Sequence, residues 1–258
     1  MSDSATTAEP EKAGAFREVF EAAKTVVYAL LIAVVLKTVV FQPFTIPSAS
    51  MEPNLYQGDY LVVSKFSYGW SHHSIPFSPP IFKGRILDRT PERGDIVVFK
   101  LPRDGHTDYI KRIIGLPGDR VQMKADRLYV NDMPVPRREE TAIQGVGDNA
   151  SGRDVEHFRE TLPGGRSYLT NDFGPGGELD DTEVFVVPAG YYFVMGDNRD
   201  NSQDSRLPAA IGVGFVPAEN LVGKAQIVLG SWGPGMSLFK PWTWITEARW
   251  GRFVHGLY

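Results

Sequence analysis

One long apolar run constrains this chain more than any other feature of its sequence. It extends over residues 25–44, TVVYALLIAVVLKTVVFQPF, and its only charged residue is Lys37. A helix of about twenty apolar residues can cross the hydrocarbon core of a lipid bilayer, which is about 30 Å thick. Pro43 and Pro47 then oppose continuation of the helix. The run therefore predicts one N-terminal transmembrane helix over residues 25–44.

Two other interpretations of this run remain open, a cleaved signal sequence and a buried core helix. A cleaved signal has a short basic leader and an apolar stretch of about 7–15 residues. The leader here, residues 1–24, is longer and slightly acidic, and it carries no pattern of a folded domain, so we predict that it is disordered. These properties favour a permanent anchor, although the weak charge bias leaves its orientation undecided. The charged residues of the leader are Asp3, Glu9, Glu11, Glu18 and Glu21 against Lys12, Arg17 and Lys24.

Composition excludes several classes of function. The chain has 258 residues, which suits one large domain or one domain with an insertion. Its formal net charge of -4 gives no basis for nucleic-acid binding, which favours basic surfaces. The chain has no cysteine, so disulfides, thiolate catalysis and cysteine-based metal sites are excluded.

Beyond residue 53 the apolar pattern becomes that of short strands separated by clusters of Gly, Pro and Asp. Such a pattern predicts an all-β barrel or a sandwich-like body. Ala125 and Asp126 form a predicted hairpin turn. The predicted strands are Asp59–Lys65, Gly94–Lys100, Asp108–Ile114, Val121–Lys124, Arg127–Val130, Val184–Val187, Tyr191–Met195 and Leu221–Leu229.

Two regions differ from this pattern. Residues 131–183 are polar and rich in turns, which predicts an inserted sub-domain or a set of long loops between two parts of a β core, residues 45–130 and 184–258. The tail beyond Ser231 mixes aromatic and basic residues, and this suits a membrane interface or ordinary core packing equally well. Its aromatic residues are Trp232, Phe239, Trp242, Trp244, Trp250 and Phe253.

Three segments hold candidate catalytic residues. Ser50 lies in IPSASMEP, between prolines, and needs a base to become a nucleophile. No histidine has a recognisable catalytic or zinc spacing. Lys111 interrupts the apolar strand YIKRII, and a buried lysine can lose its proton, whereas its neighbour Arg112 cannot. Strand parity does not decide which of these two bases is buried. The third segment, residues 196–206, is a polar run that predicts a loop held by its own hydrogen bonds and ion pairs.

Taken in order, these segments resemble the bacterial type I signal peptidases, which are membrane-anchored Ser/Lys endopeptidases. The SxSM, YIKR and GDNRDNSxDSR blocks together are a specific signal, whereas residues 131–183 match nothing specific. The stretch LPAAIGVGF after Arg206 is longer than the connection expected in the family. The matching segments are an N-terminal span, IPSASMEPNL, RGDIVVF, DYIKRIIGLPGD, GDNRDNSQDSR and VPAENLVGKA.

The resemblance implies a mostly β fold, with a signal-peptidase-like β-barrel catalytic core, an inserted β-rich sub-domain and one N-terminal transmembrane helix. It also implies removal of signal peptides from secreted precursors, after small residues at −3 and −1, without a metal or cofactor. The precursors would be delivered by the translocation machinery. The chain would cross the bacterial inner membrane once and contact the lipid bilayer, with a cytoplasmic N-terminus and the catalytic domain outside.

The resemblance also implies a role for each matching residue. Ser50 would be the nucleophile and Lys111 the general base, while the Ser48 hydroxyl would stabilise the oxyanion beside the Ser50 N–H. Ser202 would hydrogen-bond and orient Lys111, and an Asp204–Arg206 ion pair would hold the loop. The residues expected to line the pockets for the substrate are Phe44, Ile46, Met51, Tyr109 and Ile110.

Two alternatives remain open. One is a Ser/Lys peptidase of the same fold that matures a single dedicated protein. The other is an anchored β domain that binds exported chains without cutting them.

Overall fold

A computed structural model describes residues 9–75, 78–140 and 155–257, and these residues are mostly β. The helices are α1 (Glu9–Val39) and α2 (Thr243–Thr246), with 3-10 turns at His72–Ser74, Ala218–Asn220 and Trp250–Arg252. The strands are β1 (Phe41–Thr45), β2 (Asp59–Ser64), β3 (Trp70–Ser71), β4 (Arg85–Ile86), β5 (Ile96–Lys100), β6 (Asp108–Gly115), β7 (Arg120–Lys124), β8 (Arg127–Val130), β9 (Met133–Pro134), β10 (Arg137–Glu140), β11 (Glu156–Thr161), β12 (Ser167–Asp172), β13 (Phe185–Val186), β14 (Tyr191–Met195), β15 (Val216–Pro217), β16 (Leu221–Ser231) and β17 (His255–Gly256).

Every strand predicted from the sequence is present, as β2, β5, β6, β7, β8, β13, β14 and β16. The predicted hairpin turn is also confirmed. Ala125 and Asp126 have φ angles of 46° and 59°, the left-handed conformation that matches the twist of the paired strands β7 and β8.

The N-terminal helix ends earlier than predicted, and this part of the prediction was wrong. Helix α1 stops at Val39, and Phe41–Thr45 instead forms strand β1, antiparallel to β2. Pro43 is tolerated there because β1 is an edge strand. None of the described strands pairs with its outer side, so the absence of a proline N–H costs no hydrogen bond between strands on that side. Within the described residues, no helix combines the length and the apolar character expected of a membrane-crossing helix.

The largest sheet has the order β1-β2-β16-β5-β6-β14-β15, with β17 paired to β16. The predicted barrel is wrong for the described residues, because a barrel closes only where its two edge strands pair. Here β1 pairs with β2 and β15 pairs with β14, so the sheet remains open.

Smaller sheets complete the body. They have the orders β13-β7-β8-β9, β10-β11-β12 and β3-β4. The region 131–183, predicted as an insertion or long loops, contributes β9 to β12, and residues 141–154 of it lie outside the described residues. Among the clusters of buried apolar side chains, one joins Ile46 and Met51 to Ile110, and so packs the segment after β1 against β6.

The aromatic tail lies largely at the surface. Phe239 is 93% exposed, and Trp242, Trp244 and Trp250 are also exposed. Trp232 and Phe253 are partly buried and contact each other edge to face, with ring centroids 5.2 Å apart. Core packing is therefore the wrong interpretation for four of the six aromatic residues.

Candidate active site

A cavity of about 910 Å³ opens onto the segments that carry Ser50 and Lys111. It is bordered by the turn after β1, by the beginning of β6 and by two later loops. The lining residues are Pro47, Ser48, Ser50, residues 107–111, residues 173–179, residues 200–203 and Leu207.

Ser50 and Lys111 meet in this cavity. Lys111 Nζ lies 2.6 Å from Ser50 Oγ, and both side chains are buried. The two residues are 61 positions apart in the sequence, and the core packing of Ile46 and Met51 against Ile110 brings their segments together. The arrangement places a serine hydroxyl in direct contact with a lysine amine.

The environment of Lys111 favours its neutral form. Burial lowers the pKa of Lys111, the Asp204 and Asp197 carboxylates oppose this effect and the Arg206 guanidinium adds to it, so that the pKa is lowered to about 8. Burial wins because a charged amine loses its hydration there. Above about pH 8, most of the lysine is therefore unprotonated and able to accept a proton.

Ser48 lies next to the pair. Its Oγ is 3.3 Å from Ser50 Oγ, and its side chain is exposed to the cavity. A hydroxyl in this position can donate to an oxygen that develops charge beside Ser50.

Ser202 lines the cavity but does not make the contact predicted for it. Its buried Oγ has no hydrogen-bond partner within the described residues, so it does not bond Lys111. The hydroxyl is close enough to the Asp204 carboxylate to help lower the pKa of Asp204, without the geometry of a full hydrogen bond. The orienting role predicted for Ser202 therefore requires a contact that this structure does not form.

Asp204 and Arg206 form the predicted ion pair. Arg206 Nη2 lies 2.9 Å from Asp204 Oδ2, and both side chains are buried. Asp204 Oδ2 also accepts the Gly196 N–H at 3.0 Å, and Arg206 Nη2 donates to the Arg199 carbonyl at 2.5 Å. Burial alone would raise the pKa of Asp204, but Arg206, together with the Gly196 N–H and the Ser202 hydroxyl, keeps that pKa below its ordinary value. The pair thus ties the two ends of the polar loop 196–206 together.

The same loop holds the backbone of the serine segment, which sequence reasoning missed. The Asn198 N–H donates to the Ser50 carbonyl at 3.1 Å, and Asn198 Nδ2 donates to the Ala49 carbonyl at 3.2 Å. A Cβ on Gly196 would lie 2.5 Å from the Ser50 carbonyl oxygen and 2.2 Å from Ser202 Oγ. Only glycine fits at position 196. The glycine of GDN at the start of the loop was the sequence feature that could have indicated this close contact.

Comparison with known proteins settles the family. A family model described as signal peptidase, peptidase S26 matches residues 19–232. The chain belongs to this family. Membership makes it a serine peptidase, and hence a hydrolase.

Several relatives are similar over nearly their whole length. The chain is 40% identical to signal peptidase I of Rickettsia massiliae (strain Mtu5) over 253 residues, which covers 90% of this chain and 91% of the relative. It is 41% identical to signal peptidase I of Rickettsia prowazekii (strain Madrid E) over 250 residues, with the same coverage. A crystal structure of a signal peptidase I from Enterococcus faecalis V583 is 30% identical, with a TM-score of 0.31, and covers 53% of this chain and 97% of that one.

The residues predicted to bind substrate divide into two groups in this peptidase. Tyr109 and Ile110 line the cavity. Ile46 and Met51 are buried in the core, and Phe44 packs against the same cluster without being part of the cavity lining. These three apolar residues lie behind the cavity surface, because the core that positions Ser50 needs them.

One edge of β6 faces the cavity. Residues 108–111 pair with β5 on one side, whereas β14 pairs with β6 only from Arg112 to Gly115 on the other. The chain leaves the sheet after Met195 and becomes the polar loop 196–206. An extended peptide can add to such a strand edge through main-chain hydrogen bonds.

Two buried ion pairs in this peptidase were also missed. Arg112 donates to both oxygens of Asp197, at 2.8 and 2.7 Å, and both side chains are only 1% exposed. Arg199 donates to both oxygens of Glu160, at 2.9 and 2.6 Å. Glu160 also accepts the Tyr168 hydroxyl at 2.8 Å. The Arg112–Asp197 pair joins β6 to the loop that holds Ser50, and the contacts of Glu160 and Tyr168 with Arg199 join β11 and β12 to it.

Proposed function

We propose that this peptidase removes signal peptides from secreted precursors, with Ser50 as nucleophile and Lys111 as general base. The observation that carries this proposal is the buried contact of 2.6 Å between Lys111 Nζ and Ser50 Oγ inside the cavity. A neutral lysine beside a serine hydroxyl is a sufficient base for nucleophilic catalysis when histidine is absent from the site.

The reaction would begin when neutral Lys111 takes the proton of Ser50. Ser50 Oγ attacks the carbonyl at the cleavage site, and the Ser48 hydroxyl and the Ser50 N–H stabilise the oxyanion. Protonated Lys111 then gives its proton to the leaving amine, which departs as the new N-terminus. A water then attacks the acyl carbonyl and gives a proton to Lys111. The bond between the carbonyl carbon and Ser50 Oγ breaks, Ser50 Oγ takes the proton back from Lys111, and the signal peptide leaves with a free carboxyl group.

The unpaired edge of β6 suggests how the substrate binds. We propose that the precursor lies as an extended strand beside residues 108–111, so that alternate side chains face the protein. Tyr109 and Ile110 would contact the residues at −1 and −3, and Phe44, Ile46 and Met51 would support these pockets from behind. We further propose that residues 45–130 and 184–258 form the catalytic core and residues 131–183 its insertion.

A precursor with an Ala-x-Ala cleavage site tests this function. We expect a single cut after the second alanine, identified by mass spectrometry of both products. Leucine at −1 should lower kcat/KM at least about 100-fold, because a pocket sized for a methyl group rejects a larger side chain.

Other outcomes of the same assay would contradict the proposal. A peptidase dedicated to one protein would leave a generic precursor uncut, and a binding domain would retain the precursor without cutting it. Equal rates with alanine and leucine at −1 would contradict the specificity.

Although no described helix combines the length and the apolar character expected of a membrane-crossing helix, we also propose that the exposed apolar part of α1 anchors the chain in a bacterial inner membrane as a single pass, with the N-terminus cytoplasmic and the catalytic body outside. Apolar side chains of α1 are more than half exposed, although water does not favour such a surface. The exposed aromatic residues of the tail would contact the bilayer interface. The exposed apolar side chains of α1 are Val26, Val27, Tyr28, Leu30, Leu31, Ile32, Val34 and Val35.

Single cysteines test this topology, since the chain contains none. In spheroplasts, an impermeant thiol reagent should label Glu183→Cys at once, but Ser4→Cys only after lysis. The protein should also stay in the membrane fraction through an alkaline wash. Release by that wash, or labelling of Ser4→Cys in intact spheroplasts, would contradict the proposed arrangement.

A further inference from the structure

The loop of residues 173–179, FGPGGEL, contributes a continuous stretch to the lining of the cavity that contains Ser50 and Lys111. It follows β12 directly and belongs to the region in which the sequence showed no specific pattern. Phe173 and Leu179 are partly buried there, and Glu178 is exposed. A substrate bound at Ser50 therefore meets this loop as well as the edge of β6.

Hydrogen bonds to carboxylates hold the loop in one position. Asp180 Oδ2 accepts the N–H groups of Gly176 and Gly177, each at 2.8 Å, and Asp200 Oδ2 accepts the Phe173 N–H at 2.7 Å. A Cβ on Gly177 would lie 2.7 Å from oxygens of both Asp180 and Asp200. These amides bond back to the protein and are therefore not available to a substrate.

The loop is also fixed relative to the reacting atoms. Asp200, which holds the Phe173 amide, belongs to the polar loop 196–206, and Asn198 of that loop holds the Ser50 carbonyl. The nucleophile Ser50 and the loop 173–179 are therefore both held by hydrogen bonds to the polar loop 196–206. A substrate residue beside the loop has a defined distance from the cleavage site.

Charges in the lining are unequal. Three carboxylates lie there, Asp108, Glu178 and Asp200, and Lys111 is the single basic residue of the described lining. Asp108 already pairs with Lys100 at 2.9 Å, and Asp200 holds the Phe173 amide. Glu178 has no ion pair among the described residues, so its charge is available to a substrate side chain.

We propose that the loop 173–179 is a specificity wall of the substrate cleft, and that Glu178 makes this peptidase favour a cationic over an anionic substrate side chain beside it. This inference rests on the proposed function and adds a charge preference to it. The effect is modest because Glu178 is exposed, and solvent screens exposed ion pairs.

A charge scan of precursors tests this inference. Precursors with an Ala-x-Ala site carry Lys, Gln or Glu at one position at a time, on both sides of the cleavage site. At one position or two neighbouring ones, the wild type should show kcat/KM about fivefold higher for Lys than for Glu. Glu178→Gln should remove this preference and Glu178→Lys should reverse it. Glu183→Gln is the matched control, since Glu183 is also exposed but does not line the cavity, and it should keep the wild-type ratio.

The outcomes separate this inference from the function on which it rests. If Glu178→Gln and the wild type show the same Lys-to-Glu ratio at every position, the specificity wall is wrong, while cutting at the Ala-x-Ala site still supports the proposed function. If the wild type cuts no precursor, the proposed function fails, and the inference fails with it.

Discussion

Replacing Lys111 by Met, or Ser50 by Ala, is expected to lower kcat/KM for precursor cleavage at least about 1,000-fold. Each change removes one partner of the 2.6 Å contact between the amine and the hydroxyl. Without the amine, the hydroxyl keeps its proton and is a poor nucleophile; without the hydroxyl, no acyl-enzyme forms. The two losses should not add in the double variant, because the residues act as one unit.

The matched controls make the same two substitutions at positions outside the cavity. Lys124→Met and Ser167→Ala remove an amine and a hydroxyl from strands that do not line the cavity, and both should retain nearly full activity. Thermal unfolding of all four variants checks that they remain folded. Activity within about tenfold of wild type in either Lys111→Met or Ser50→Ala would contradict the proposed pair.

The same chemistry fixes the pH dependence. The pKa of Lys111 is lowered to about 8, mainly by burial, so the neutral form of the base is present above that pH and disappears below it. We expect kcat/KM to rise with pH to a plateau and to fall about tenfold per pH unit below pH 8, when one proton blocks the base. A profile that stays flat from pH 8 to about pH 5 would contradict a lysine base.

Arg112→Met is expected to lower the free energy of unfolding by about 3–5 kcal/mol. The substitution leaves the Asp197 carboxylate without its bidentate partner, in a place where the side chain is 1% exposed. It also removes the donor to the Gly94 carbonyl at 2.8 Å. For a chain of this size the midpoint of thermal unfolding should fall by about 10 °C.

Arg120→Met is the matched control for this experiment. Arg120 pairs with Asp132 at 3.2 Å, but the two side chains are 47% and 65% exposed. Losing an exposed pair should cost less than about 1 kcal/mol, because water solvates the remaining carboxylate. Denaturant unfolding of both variants in detergent gives the comparison.

A double variant identifies the cause of the loss. Adding Asp197→Leu to Arg112→Met should restore part of the stability, since no buried charge then lacks a partner. Equal stability of Arg112→Met and Arg120→Met would show that the buried pair contributes little. A double variant no more stable than Arg112→Met would assign the loss to packing instead of charge.

Strands were predictable where the local pattern is strong, but the end of the N-terminal helix was not. An apolar run without alternation suits a helix and a buried strand alike. The residues FQPFT became strand β1 because β2 offers them a partner, and β2 lies beyond the turn that carries Ser50. That decision depends on pairing across the turn, which no local pattern contains.

The site was predictable in part for a similar reason. Ser50, Lys111 and the polar loop 196–206 stand in segments with unusual local character, so the sequence identified them. Glu160 and Tyr168 do not, and their contacts with Arg199 arise only when β11 and β12 pack against that loop. The loop 173–179 was missed as well, because glycine-rich turns look alike whether or not they border a cavity.

By itself, the sequence determined the strand segments, the hairpin turn at Ala125–Asp126 and the residue types available for chemistry, since each depends on neighbouring residues alone. It left open which base of the Lys111–Arg112 pair is buried. Tertiary structure buried both, one beside Ser50 and the other on Asp197. It also decided that the large sheet stays open and that β14 leaves part of β6 free. These features depend on contacts between distant segments, and burial at such contacts sets both the pKa of Lys111 and the shape of the cleft.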